Sequence, residues 1–219
     1  MLNELTSELK KRGVNFVKIV DISMLSEEEK RGYSVAILIG MALSPSYIFQ
    51  LSNGNELEHS EFSEKEGRVD RLAEFAADFI QVKGYKAYAQ SERNLINGFY
   101  DADTKTTPLP HKKIAILAGM GWIGKSNLLV TDEYGSALCM CSILTNAPLP
   151  TQNKSIRMPK CGGCNICKNI CPAKVIHGHN WEAGINRDLI VDVYHCETCL
   201  KCLVNCPWTQ KYMKNDSCK

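Results

Sequence analysis

Two stretches, "CGGCNICKNICP" at residues 161–172 and "CETCLKCLVNCP" at residues 196–207, decide how this chain is read. Both follow C-x2-C-x2-C-x3-C-P, the bacterial-ferredoxin run that wraps a cubane 4Fe-4S cluster. The first three cysteines of such a run converge on one cluster, because two-residue spacers form tight turns whose amides also point at the sulfurs. The fourth, directed elsewhere by the proline after it, ligates the other cluster. The spacing therefore groups Cys161, Cys164, Cys167 and Cys206 on one cluster, and Cys196, Cys199, Cys202 and Cys171 on the second. The crossing accounts for the duplication, since each copy completes the other's site. Zinc also takes paired CxxC units, but a closed zinc tetrahedron asks for neither a third cysteine at x2 nor a proline after the fourth. Clusters of this kind carry single electrons, so residues 158 to 210 read as a wire.

Composition limits what the wire serves. A chain of 219 residues with 44% hydrophobic residues can bury a core and fit one domain plus a small module. The formal net charge is only +2 and the basic residues are dispersed, so a nucleic acid partner is not indicated, although tRNA remains compatible with it. The opening "MLNELTSELKKRG" has no signal-peptide pattern, and no stretch approaches the roughly 18 apolar residues of a membrane span. A cytoplasmic protein without a membrane partner is expected. Eleven cysteines in such a chain point to metal or catalysis rather than to a disulfide framework.

Ahead of the wire, the pattern predicts an α/β (α+β) domain over residues 1–155, followed by a two-cluster ferredoxin-like module over 156–219. Leu2, Leu5 and Leu9 with Gly13 as a stop predict a first helix. "VNFVKIV" and "YSVAILIGMAL" read as strands, the second buried on both faces, and Ser26 with Glu29 forms a capping box. Val69, Leu72, Ala76, Phe79 and Ile80 recur at helical spacing between about Glu61 and Lys83, with Gly84 as the end. "YKAYAQ" suggests a strand, residues 91–110 a loop, "SNLLVTDEYGSALCMCSILT" a hairpin turning at "DEYG", and "NAPLPTQNKSIRMPK" a linker.

At "AGMGWIGKSNLLVTDEYGSA", residues 118–137, the chain resembles the epoxyqueuosine reductase family, and the order of parts agrees down to the "CPW" of Cys206, Pro207 and Trp208. The resemblance covers about residues 30 to 210. It implies a cobalamin in the α/β domain, fed by the two clusters and used to reduce an organic substrate, which in that family is a modified tRNA base. It also implies a low-potential electron donor such as a ferredoxin or flavodoxin. The related reductive dehalogenases share these parts. Gly119, Gly121, Trp122, Gly124 and Lys125 are then the expected cofactor-binding residues: glycines let the backbone approach something bulky, and Trp122 offers an apolar face. The segment is not a phosphate-binding loop, because Gly124 and Lys125 lack the upstream glycine of G-x-x-x-x-G-K.

Departures from the family pattern are equally specific. Alignment on Pro108 puts Lys105 where the family's proton-donating aspartate is expected, with Asp101 and Asp103 nearby but out of register. Asp103 and Tyr100 are the remaining candidates for proton donation. The helical repeats with which full-length members hold tRNA have no counterpart before Lys219, and the segment between the cysteine motifs is short. A diverged relative is therefore expected, its substrate a small molecule or modified base. A ferredoxin-type carrier serving a partner, without a catalytic corrinoid, is the alternative. Of the remaining polar groups, Cys139 and Cys141 share one strand face and read as buried hydrophobes, as cavity lining or as an axial metal ligand. His111 opens a helix; His177, His179 and His195 flank the clusters; Cys218 reads as a terminal thiol.

Overall fold

The computed structural model describes residues 1–54 and 60–216. Cys218 lies outside them. In chain order they form α1 (Leu2–Lys11), β1 (Phe16–Asp21), α2 (Glu27–Lys30), β2 (Val35–Ala42), α3 (Pro45–Ser52), α4 (Ser60–Val82), β3 (Ala87–Ala89), α5 (Glu92–Ile96), α6 (His111–Leu117), β4 (Gly121–Ile123), β5 (Leu129–Thr131), β6 (Leu138–Thr145), α7 (Ile166–Ile170), α8 (Lys201–Val204) and α9 (Pro207–Asp216), with a 3-10 turn at Arg187–Leu189. The architecture is mixed α/β. Its main sheet has the order β1-β2-β6-β3. β1 runs antiparallel to β2, with Phe16 opposite Gly40, and β3 antiparallel to β6, with Ala87 opposite Thr145.

The local signals explain most of these elements. All eight residues of β2 are buried, as an unbroken apolar run requires when both faces of a strand are covered. Ser26 and Glu29 form the reciprocal capping box of α2. Val69, Leu72, Ala76 and Ile80 of α4 lie in the core. The stretch after β6 has no regular secondary structure but is strapped down by its backbone: Asn146 N donates to Lys86 O, Gln152 N to Ile19 O and Lys154 N to Leu117 O, at 2.9–3.2 Å.

Three expectations need correction. β5 does not form a hairpin with β6. It pairs backward with β4 (Gly121 opposite Thr131, Ile123 opposite Leu129), while β6 joins the main sheet. The "DEYG" turn closes only on itself, through a Thr131–Gly135 bridge, and the next residue, Ser136, donates its amide to Thr209 Oγ1 at 2.9 Å. The chain is thus drawn off by α9 and by the buried register of β6 instead of folding straight back. Residues 91–110 contain α5 as well as loop. α3 follows a start signal that the periodicity overlooks: Ser44 Oγ accepts from Tyr47 N, with Pro45 at the first helical position.

Two compact units interleave along the sequence. The first comprises Met1–Met41, Phe62–Ala118 and Cys139–Ser155, and the second comprises Ala42–Glu61, Gly119–Leu138 and Ile156–Lys219. The glycine-rich segment therefore belongs to the unit that holds the cysteine motifs. Within this second unit, Tyr212 Oη donates to Leu43 O at 3.0 Å and Tyr134 meets Tyr212 edge-to-face at 5.4 Å, which fastens α9 to the start of α3 and to the turn after β5.

Candidate functional site

Cys161, Cys164, Cys167 and Cys206 line one cavity of about 370 Å³ in the second unit, together with Cys202, Gly124, Lys125, Lys160, Trp208 and Lys211. The fourth cysteine of the later motif thus stands with the first three of the earlier one. Electrostatics groups the thiols in the same way. Burial pushes the Cys167 thiol up, as do Cys161, Cys164 and Cys206 beside it. Burial pushes Cys202 up to about 12, with Cys199, Cys196, Cys167 and Cys171 adding to the effect. Among the described residues, no group of three or more His, Cys, Asp or Glu side chains could hold a metal ion. Cys161, Cys164, Cys167 and Cys206 line an open cavity instead.

Local backbone explains how the two motifs meet. Ile176 and Val191 form an antiparallel bridge, flanked by His177 N to Ile190 O and Asp192 N to Val175 O, each 2.9 Å. Val175, Ile176 and Val191 make a small apolar core against which Cys167, Cys171 and Cys202 pack. Two cysteines of the first motif, Cys167 and Cys171, and one of the second, Cys202, are therefore seated on the same core. His195 pairs through Nδ1 with Asp192 Oδ2 at 2.6 Å, and that hydrogen bond holds the Asp192 carboxyl below its usual range.

The glycine-rich segment has a different geometry from the one its sequence suggests. A Cβ on Gly121 would lie 1.9 Å from Val130 O, so the β4–β5 pairing itself demands glycine there. Trp122 is fully buried, with Trp208 edge-to-face at 4.9 Å and the cations of Arg157 and Lys160 over its ring at 5.3 and 5.4 Å. Its face is covered by protein and is not offered to a cavity. Gly124 and Lys125 do reach one: a Cβ on Gly124 would stand 2.9 Å from Val130 Cγ2 and 3.6 Å from Cys161 Sγ. Lys125 is 6% exposed and donates to Asn165 Oδ1 at 3.2 Å. Gly119, at φ +67°, turns the chain out of α6.

A second cavity, of about 700 Å³, lies wholly in the first unit, lined by Ser63, Glu66, Asp70, Glu92, Tyr100, Thr107, His111, Met140 and apolar neighbours. Burial, then Glu92 and Asp70, pushes Glu66 up to about 7. Burial pushes His111 down to about 4, and its Nδ1 meets Ser142 Oγ at 2.9 Å. Sequence reasoning overlooked these carboxylates, because Glu66 and Asp70 sit one helical turn apart on a long helix otherwise read for its apolar stripe. Cys139 and Cys141 face the core instead, and Met140 between them lines the cavity.

No protein-family model matches the chain. The epoxyqueuosine reductase of Synechocystis sp. is 31% identical over 171 residues, which cover 67% of this chain and 56% of that protein. The epoxyqueuosine reductase of Atelocyanobacterium thalassa is 25% identical over 182 residues, 72% of this chain and 56% of that protein. An epoxyqueuosine reductase solved with an epoxyqueuosine-modified tRNA-Tyr stem loop superposes with a TM-score of 0.60 at 15% identity, over 95% of this chain and 65% of that one. A reductive dehalogenase whose structure suggests a mechanism for B12-dependent dehalogenation gives 0.65 at 17% identity, over 90% of this chain and 30% of that one. The chain belongs to the epoxyqueuosine reductase-like family. It spans 56% of the length of the two curated relatives, and the two structures speak for its fold.

In this epoxyqueuosine reductase-like chain, the candidates for proton donation separate. Tyr100 lines the 700 Å³ cavity, whereas Asp103 does not and is exposed. Asp101 Oδ1 accepts from Asp103 N and Thr104 N at 2.9 and 3.0 Å, and the Thr104 and Asp103 amides hold its carboxyl below its usual range. Lys105 sits at the same exposed tip with a φ of +50°. No helix among the described residues is long and apolar enough to cross a membrane.

Proposed function

We propose that the chain is an iron-sulfur reductase in which eight cysteines hold two 4Fe-4S clusters that relay single electrons toward a corrinoid, for the reduction of an organic substrate. The observation that carries this reading is the meeting of Cys206 with Cys161, Cys164 and Cys167 around one cavity. Four thiols around an open volume, with Cys171 and Cys202 of the other set packed on the same small core as Cys167, suit two cubanes with crossed fourth ligands. The second unit then takes the role of a two-cluster ferredoxin-like module, with Gly124 and Lys125 at the edge of its first cluster.

For the corrinoid, the first unit's cavity fits in part. Val69, Leu95, Ile96 and Met140 supply apolar surface, and Ser63, Tyr100 and Thr107 supply hydroxyls. That mixture suits an apolar ring plane edged by amides, but the volume holds only part of such a group together with a small substrate. A bound corrinoid supplies a strongly reducing cobalt centre, which low-potential clusters are suited to feed. The chain's own residues supply the rest. Tyr100 offers a phenolic proton at the cavity wall, and Glu66, held near neutrality between its two forms, offers a second. A modified base or another small organic molecule is the substrate class, and a low-potential ferredoxin or flavodoxin the electron donor.

Lys105, standing in place of a carboxylate, favours a second reading, in which the chain hands electrons to a partner and performs no corrinoid chemistry. Anaerobic purification followed by iron, sulfide and cobalamin analysis separates the two. The reductase reading expects about eight iron and eight sulfide per chain and cobalamin co-eluting on gel filtration. Clusters without cobalamin leave the carrier; stoichiometric zinc without sulfide overturns both.

A further inference from the structure

The wall of the cysteine cavity carries a charge that the motif spacing does not call for. Lys125 is 6% exposed, lines the cavity beside Cys161, Cys164, Cys167 and Cys206, and has Asn165 Oδ1 as its hydrogen-bond partner at 3.2 Å. Asn165 belongs to the first motif, between Cys164 and Cys167. Lys160 lines the same cavity, but its side chain is 48% exposed and is tied to Asp132 at 3.1 Å. Lys125 has no carboxylate partner among the described residues. A buried ammonium facing only a neutral amide carries a desolvation cost that an anion beside it removes.

A cubane bound by four thiolates is such an anion. The four thiolate charges exceed the two positive charges of the oxidised core, which leaves a dianion, and one added electron makes it a trianion. A fixed cation at the wall therefore stabilises the reduced cluster more than the oxidised one, and local charge is among the levers on cluster potential. The geometry points to Lys125 as the counter-charge of the first cluster: an ammonium held by Asn165 against the Cys161, Cys164, Cys167 and Cys206 set, raising that cluster's reduction potential above what its cysteines alone would give. This rests on the two-cluster reading above. The role is electrostatic positioning; no bond to iron is involved.

The test compares the unsubstituted chain with Lys125→Gln and Lys125→Arg, each reconstituted anaerobically and assayed for iron and sulfide, then titrated potentiometrically with dithionite while reduced clusters are followed by EPR. At the unsubstituted chain's midpoint, the ratio of reduced to oxidised first cluster should fall at least tenfold in Lys125→Gln, about 59 mV for a one-electron couple. In Lys125→Arg it should stay within about threefold, and the second cluster should move less in either variant. Loss of the first cluster from Lys125→Gln alone also supports the charge requirement. An unchanged midpoint with both clusters present, or loss of the first cluster from both variants, overturns it. Absence of iron and sulfide from the unsubstituted chain is a different result, because it removes the two-cluster reading itself.

Discussion

The two cavities are built from opposite chemistry. The first unit gathers Glu66, Asp70 and Glu92 with a neutral His111 and three hydroxyls, whereas the second gathers thiols, the indole of Trp208 and three lysines. Burial, and then Glu92 and Asp70, push Glu66 toward protonation, so the acidic edge of that cavity favours polar or cationic groups while Val69, Leu95, Ile96 and Met140 offer apolar surface. Lysines and thiols line the other cavity together, so it suits an anionic guest. A single chain with formal net charge +2 thus separates its charges locally, and net charge alone gave no hint of either cavity.

The largest effect should come from breaking the second cavity. Cys206→Ser should remove the cluster of the first motif and leave about half the iron, and the cluster that remains should shift less with Lys125→Gln than the first cluster does. If the remaining cluster shifts by the full tenfold, the crossed grouping is wrong. Gly121→Ala should be next, because its new methyl would meet Val130 O at 1.9 Å. A loss of about 3 kcal/mol in thermal unfolding is expected, with iron lost from the first cluster as the hairpin carrying Gly124 and Lys125 shifts. Gly98→Ala, which meets nothing within 4 Å, is the control and should be nearly neutral.

The smallest effect sharpens the acidic cavity. Glu66 has its folded pKa raised to about 7 from 4.5, so the folded state keeps a proton that the unfolded state releases, and stability falls as pH rises across that window. His111, lowered to about 4 from 6.5, works in the other direction: the unfolded state takes the proton first, and stability falls as pH drops through its window. The two slopes oppose each other where the windows overlap. Glu66→Gln should therefore gain about 1 kcal/mol at about pH 8, a figure already reduced for partial exposure, gain nothing at about pH 4, and uncover the His111 slope in melts between them. An equal change at both ends would mean that Glu66 acts through packing, not ionisation.

What was legible and what was not divides along range of interaction. The Ser26–Glu29 capping box, the unbroken apolar run of β2 and the stripe of α4 are each local patterns with a counterpart in the structure, and the cysteine spacing, also local, has Cys206 lining one cavity with Cys161, Cys164 and Cys167. The residues from Gly119 to Lys125 were singled out by sequence, but their use was not. Gly121 serves strand pairing, Trp122 packs on Trp208, and only Gly124 and Lys125 reach the thiols. The partner of β5 was misread for the same reason. "DEYG" is an adequate turn signal, yet the amide after it bonds to Thr209, 73 residues away, and β6 is taken up by a buried sheet.

The sequence by itself determined which eight cysteines are the candidate cluster ligands, because two-residue spacers and a following proline constrain a backbone within a dozen residues. Tertiary structure alone decided which lysine is buried beside the sulfurs, which acids share a cavity, and which unit the glycine-rich segment joins. Those outcomes depend on desolvation and charge between residues far apart in the chain, such as Lys125 with Asn165 or Glu66 with Glu92, and no local pattern encodes that proximity.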